Sequence, residues 1–288
     1  MALKISFQGA FGANSDMACR AAYPDCETLP CFGFDDAFAA VREGQADLAM
    51  IAVENSIAGR VADVHQLLPN GGLHIVGEHY QPIQHHLLAV KGAKLEDIVR
   101  VESHVQALAQ CRNWLRSKNI QPIVHADTAG AAEEISTRGD KTVAAIASDL
   151  AGKIYGLESL ATNIADLQVD KGGDKGTQNT TRFLILAREA QNPSIESACI
   201  TSIIFKVRSV PSALYKALGG FATNGINITK IESYLVGGSF TAAQFYVDVE
   251  GHPQTTPLRL ALEELSFFAH EVKMLGTYKA HPFRQAQG

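Results

Sequence analysis

The stretch NTTRFLIL, residues 179–186, sets Thr180, Thr181 and Arg182 directly before the apolar run Phe183–Leu186. Four apolar residues in a row read as a buried strand. The polar residues then stand at its mouth, either as a plain loop end or as a site for an anion with a hydroxyl beside it. Upstream, the chain alternates between two patterns. Strand candidates lie at 3–9, 47–53, 73–80, 85–90, 98–103, 121–126 and 142–148, and helical patterns at 35–45, 61–68, 105–118, 130–138 and 149–157. Such alternation predicts an α/β architecture with mostly parallel sheets. Downstream, 187–199 is polar, contains Pro193 and reads as a linker. The patterns that follow (strand, helix, two strands flanking a turn at Gly237-Gly238, helix, strand) predict a ferredoxin-like βαββαβ unit.

The 288 residues suffice for two domains, and 46% hydrophobic with 19% charged residues is an ordinary globular composition. A net charge of −5 without a basic cluster argues against nucleic acid as a partner. No apolar stretch is long enough to span a membrane, and the start MALKISFQGAFGANS lacks a signal-peptide pattern. The five cysteines (19, 26, 31, 111 and 199) have no CxxC spacing and fit a reduced cytoplasm. Cys111 is expected in the core, and Cys19, Cys26 and Cys31 are too irregularly spaced to suggest a metal site. His85 and His86 are adjacent and face opposite sides of a strand, so they do not chelate together.

Five strand-to-helix junctions carry small polar residues: Asn14-Ser15, Asn55-Ser56, Ser103, Asp127-Thr128 and Ser148-Asp149. Each is a candidate N-cap, because its side chain can accept from the first-turn N–H groups. In an α/β sheet these turns lie at the carboxyl ends of strands, where ligands bind. A cleft lined by helix N-termini suits a small carboxylate-bearing molecule.

These stretches resemble a known family. FQGAFGANS, AVENSIAGRV, GEHYQPIQHHLL, ESHVQALAQC, DTAGAAEEI, AAIASDLAGKIYGLESLATNI, NTTRFLIL and INITKIES are together similar to monofunctional prephenate dehydratase with a C-terminal ACT domain. The resemblance implies a two-lobed catalytic domain of the type 2 periplasmic-binding-protein kind over 1–190. Its lobes would be about 1–78 plus 168–190, and 79–167, with crossovers near GEHYQP and ADLQVD. An ACT domain would cover 198–282. It implies conversion of prephenate to phenylpyruvate, CO₂ and water in the cytoplasm, without a cofactor, in a homodimer or homotetramer formed through ACT domains and inhibited by phenylalanine.

Aromatisation makes the reaction downhill, so the site must orient the substrate and help hydroxide leave. The family's essential threonine falls on Thr181, expected to hydrogen-bond the departing ring hydroxyl. Arg182 is expected to grip the side-chain carboxylate bidentately, and Glu54 is the candidate for relaying a proton. Asn55, Ser56, Ser103, His104 and Gln106 are expected substrate contacts, with Thr128 and Ser148 at the other junctions and Phe183 as core or cleft wall. Val105 stands where the family usually has proline. The family's effector motifs map onto PSALYKAL, with Ser212 in a glycine position, and onto IESYLVGG, where Glu232 and Ser233 match but Tyr234 and Leu235 do not. Ala213, Leu214, Asn227, Ile228, Thr229, Glu232 and Ser233 are therefore the expected phenylalanine contacts. Two alternatives remain open at this point: arogenate dehydratase, whose substrate bears an ammonium, and a non-enzymatic amino-acid sensor.

Overall fold

A computed structural model describes residues 2–166, 178–208, 210–235 and 242–285. The expected turn at Gly237-Gly238 and most of the expected crossover at 165–170 lie outside the described residues. By its contacts the chain falls into two units, 1–64 with 79–183, and 65–78 with 184–288.

The first sheet is laid down by β1 (Lys4–Gln8), α1 (Asn14–Ala22), β2 (Glu27–Cys31), α2 (Phe34–Arg42), β3 (Leu48–Asn55), β4 (Gly59–Arg60), α3 (Ala62–Leu67) and β5 (His74–Pro82). The chain then passes into a second sheet. It comprises β6 (His86–Ala89), β7 (Arg100–Ser103), α4 (Val105–Gln110), α5 (Arg112–Ser117), β8 (Gln121–Val124), α6 (Thr128–Arg138), β9 (Val143–Ala147), α7 (Asp149–Tyr155) and β10 (Glu158–Ala161). It returns to the first sheet as β11 (Thr180–Ala187). The strand orders are β2-β1-β3-β11-β5, with β4 on β3, and β10-β6-β9-β7-β8. Leaving one sheet and re-entering it is the two-lobed α/β topology expected from the sequence. The sheets are mixed: β1 runs parallel to β2 and β3, whereas β6 runs antiparallel to both its neighbours.

The cores follow from the patterning. VAAIA in β9 is buried throughout, and its Ala144 and Ile146 share a core with Leu87, Val101, Leu108, Cys111 and Leu115. Two ties join the lobes inside this unit. The Ser148 hydroxyl donates to the Gly12 carbonyl at 2.5 Å. Gly12, at φ +84°, lies so near that a Cβ on it would fall 2.6 Å from the Cα of Ala151.

The remaining elements are β12 (Cys199–Val207), α8 (Ala213–Thr223), β13 (Ile228–Leu235), β14 (Ala242–Glu250), α9 (Thr256–Phe268), β15 (Ala269–Lys279) and α10 (Pro282–Gln285). Up to β15 this is the expected βαββαβ order, in an antiparallel sheet β13-β14-β12-β15. One face packs Phe205, Phe245 and Val247 against Phe221, Leu258 and Leu265 of the two long helices.

Candidate active site

The end of β3 meets the start of β11: the Ser56 N–H donates to the Thr180 carbonyl at 2.9 Å, and the Thr180 N–H to Ser56 Oγ at 3.0 Å. Asn55 does not cap a helix there. Its Oδ1 accepts from Ile57 N–H (3.0 Å) and Ala58 N–H (2.8 Å), which closes the turn into β4. Two backbone donors on Oδ1 fix the amide's orientation, so Nδ2 must face the other way. It donates to Asn179 Oδ1 at 2.8 Å and to Thr181 Oγ1 at 3.0 Å. Thr181 is half-buried and accepts this bond, which leaves its own O–H to point at something else.

The amide chain continues into the other lobe. Asn179 Nδ2 donates to Gln110 Oε1 at 2.9 Å, and His85 Nε2 lies 2.7 Å from the same oxygen. An amide oxygen only accepts, so His85 carries its proton on Nε2. Gln110 is aimed by an interruption that the sequence pattern does not announce. The single helix expected over 105–118 breaks at Cys111, although no glycine or proline is present. Asp166 causes the break: its carboxylate accepts from Asn113 and Trp114 N–H at 2.8 and 3.0 Å, and its own N–H takes the Gln110 carbonyl at 2.7 Å. The Cys111 thiol, as expected, is in the core, where burial pushes it up to about 12.

Burial also lowers His85, His86 and His104 below their ordinary value. Below about pH 6.5 the unfolded chain takes up protons on these rings that the folded chain refuses. Stability is therefore expected to be level above that value and to fall as pH drops below it. Thermal midpoints at pH 7.5 and 5.5 check this, and equal midpoints would contradict it.

Arg182 departs from expectation. Adjacent strand residues face opposite sides, so Thr181 and Arg182 do not share a surface. Arg182 is 3% exposed, and its Nη1 donates to Glu54 Oε1 at 2.9 Å. The guanidinium is enclosed and ion-paired with Glu54. Glu54 balances that guanidinium, and Phe183 is 1% exposed in the core. Ser103 and Ser148 are also committed elsewhere: Ser103 Oγ donates to the Ile146 carbonyl at 2.6 Å, and Ser148 Oγ accepts from Ala151 N–H while tying Gly12. Both side chains are buried and bonded to backbone groups. His104 is the N-cap of α4, with Nδ1 accepting from Gln106 N–H, and the Gln106 side chain is exposed. Asp127 and Ser148 cap their helices as expected, with half-buried Thr128 following Asp127, whereas Ala13 precedes α1 without a side-chain cap. Asn179, Gln110 and His85 were missed as site residues. Asn179 stands in the quoted stretch, but nothing in its spacing marks it.

In the C-terminal unit the expected effector residues spread over α8 and β13. Ala213 and Leu214 open α8, Asn227, Thr229 and Ser233 are exposed, and Ile228 and Glu232 are half-buried. Thr229 Oγ1 accepts from Arg284 Nη1 at 2.7 Å. The same guanidinium reaches Glu78 (Nε to Oε1, 3.0 Å) and Asp248 (Nη2 to Oδ2, 3.3 Å), both with 0% exposed side chains. Ser212 holds φ +62°, a left-handed conformation that costs a residue with a Cβ about 1–2 kcal/mol. Ser212→Gly is therefore expected to stabilise this unit by about 1 kcal/mol. A melting midpoint that falls would show that the Ser212 side chain contributes more than its strain costs.

Among the described residues no group of three His, Cys, Asp or Glu side chains could hold a metal ion, and no helix is long and apolar enough to cross a membrane. A family model described as prephenate dehydratase matches residues 5–191. The chain is 49% identical over 282 residues to a bifunctional N-acyl-homoserine lactone acylase/prephenate dehydratase of Komagataeibacter europaeus, covering 98% of this chain and 97% of that one. It is 42% identical over 290 residues to arogenate dehydratase/prephenate dehydratase 1, chloroplastic, of Arabidopsis thaliana, covering 96% of this chain and 72% of that one. The solved prephenate dehydratase of Arthrobacter aurescens in complex with L-Phe superposes with a TM-score of 0.84 at 29% identity, covering 96% of this chain and 90% of that one.

Proposed function

Because the chain belongs to the prephenate dehydratase family, we propose that it converts prephenate to phenylpyruvate, CO₂ and water in phenylalanine biosynthesis. Residues 1–190 would form the catalytic domain. Residues 198–282 would form an ACT domain through which phenylalanine restrains the enzyme and copies of the chain associate. The observation that carries the chemistry is the bond from Asn55 Nδ2 into Thr181 Oγ1 at 3.0 Å.

As the ring carboxylate departs, its C–C electron pair enters the ring, and the C–O pair leaves on the opposite hydroxyl oxygen. That oxygen must gain a proton to go as water. Thr181 presents its O–H to it, and accepting from Asn55 makes that O–H a better donor. The proton lost from Thr181 is replaced from solvent water. Asn179, Gln110 and His85 hold Asn55 in the required orientation, and Glu54 with Arg182 supports β11 beneath it.

Phenylalanine control draws on the relative solved with L-Phe. Inhibition from a separate domain requires two states of the protein that differ in their affinity for phenylalanine. A second reading, acylase action on N-acyl-homoserine lactones, is favoured by one observation, the name carried by the relative at 49% identity. The test is to follow phenylpyruvate formation from prephenate at neutral pH, with and without phenylalanine, beside arogenate and an N-acyl-homoserine lactone. Prephenate turnover reduced by phenylalanine supports the proposal. Turnover of arogenate alone changes the substrate, and turnover of neither overturns the dehydratase assignment.

A further inference from the structure

Arg182, the cation expected for the substrate's side-chain carboxylate, is 3% exposed and ion-paired with Glu54. A cavity of about 400 Å³ opens in the same unit, beside Gln110. Ile57, two residues beyond Asn55, lines it, as do Arg112, Asn113, Arg116 and Asp166. Arg112 and Arg116 are four apart on α5 and so share one helix face. Both are exposed, and among the described residues neither is ion-paired. Asp166 lies close by, but its two oxygens already accept the N–H groups of Asn113 and Trp114. The cavity therefore presents two guanidiniums against one carboxylate that is held by backbone. Gln110 is common to this cavity and to the amide chain that ends on Thr181.

We propose that Arg112 and Arg116 bind the side-chain carboxylate of the substrate while Thr181 serves the ring hydroxyl. This assignment rests on the dehydratase reading. A planar guanidinium suits a carboxylate because it can donate two parallel bonds. The 2-oxo side chain of prephenate and the 2-amino side chain of arogenate both end in such a group. The ring carboxylate, which must leave, has no use for a tight ion pair, because that would stabilise the ground state.

The double variant Arg112→Gln/Arg116→Gln tests this. Exposed positions of this kind tolerate substitution with little change in stability, and a melting curve verifies it. The measurements are kcat and KM for prephenate and for arogenate, and calorimetric binding of phenylpyruvate, which keeps the same side chain. The expected result is a KM raised about 10–100-fold with kcat within a few-fold, and phenylpyruvate binding weakened by a similar factor. Arg112→Lys/Arg116→Lys should recover part of the loss, since it restores charge without the planar fork. An active wild-type protein beside a double variant with KM and phenylpyruvate binding within two-fold of it overturns the assignment and leaves the dehydratase reading intact. A wild-type protein that turns over neither substrate sinks both.

Discussion

Thr181→Ala is expected to lower kcat on prephenate by roughly 10²–10⁴-fold, the usual contribution of a positioned proton donor, and to leave the melting midpoint nearly unchanged. The two halves of that expectation have separate causes. The lost hydroxyl is the group that faces the leaving oxygen. The structural cost is small because Asn55 Nδ2 keeps two other acceptors, Asn179 Oδ1 at 2.8 Å and the Thr180 carbonyl at 3.3 Å, so no buried donor is orphaned. Thr181→Ser, which retains the hydroxyl, should recover most of the rate. Retention of more than about a tenth of kcat in the alanine variant would mean that the Asn55–Thr181 bond shapes the strand end and does no chemistry.

Arg284→Ala is expected to destabilise the C-terminal unit by about 3–5 kcal/mol, as breaking a buried ion pair commonly does. The guanidinium serves two carboxylates, Glu78 and Asp248, whose side chains are 0% exposed. His281 N–H also donates to Glu78 Oε1 at 3.2 Å, so α10 and its arginine act on the same group. Removing the cation takes an ion pair from each of two buried carboxylates and leaves their hydrogen bonds, from His281 N–H to Glu78 and from the Ser202 and Tyr246 hydroxyls to Asp248. Calorimetric melting should show a midpoint roughly 10 °C lower. Adding Glu78→Gln and Asp248→Asn should return part of the loss, because it removes the buried charges that Arg284 pairs with. A loss below about 1 kcal/mol would place this cluster among the weak, solvent-screened pairs.

The sequence made the architecture readable wherever hydrophobic period and burial agree. The all-buried β9 and the run 183–186 within β11 are examples. Reading failed at two of the sheet edges, β2 and β10. β2 carries Pro30, a residue that argues against a strand except at an edge, and β2 is an edge strand. β10, ESLA, is short, polar and likewise at an edge. The helix break at Cys111 was invisible for another reason: its cause, Asp166, lies 55 positions further along the chain. Thr181 and Asn55 were found through motif resemblance. Arg182 was singled out in the same motif, but a motif states which residues are present and not which face of the strand each one occupies, so its partner Glu54 was not legible as such. Gln110, Asn179 and Arg284 depend on distant partners that local pattern cannot supply.

The contact at Gly12 restricts how this chain can drift in sequence. Position 12 has a left-handed φ of +84° and no space for a Cβ, since Ala151 is already there and 0% exposed. No residue at 151, glycine included, makes room for a substitution at 12, because the clash is with the Cα and backbone N of 151 at 2.6 and 2.9 Å, and the left-handed backbone would be strained as well. Growth at 151 would press on the same backbone, which the Ser148 hydroxyl holds in place. Among positions 12, 148 and 151, the first is therefore fixed as glycine and the other two are constrained by it. A variant library randomised at the three should return functional members near the starting combination and almost none elsewhere.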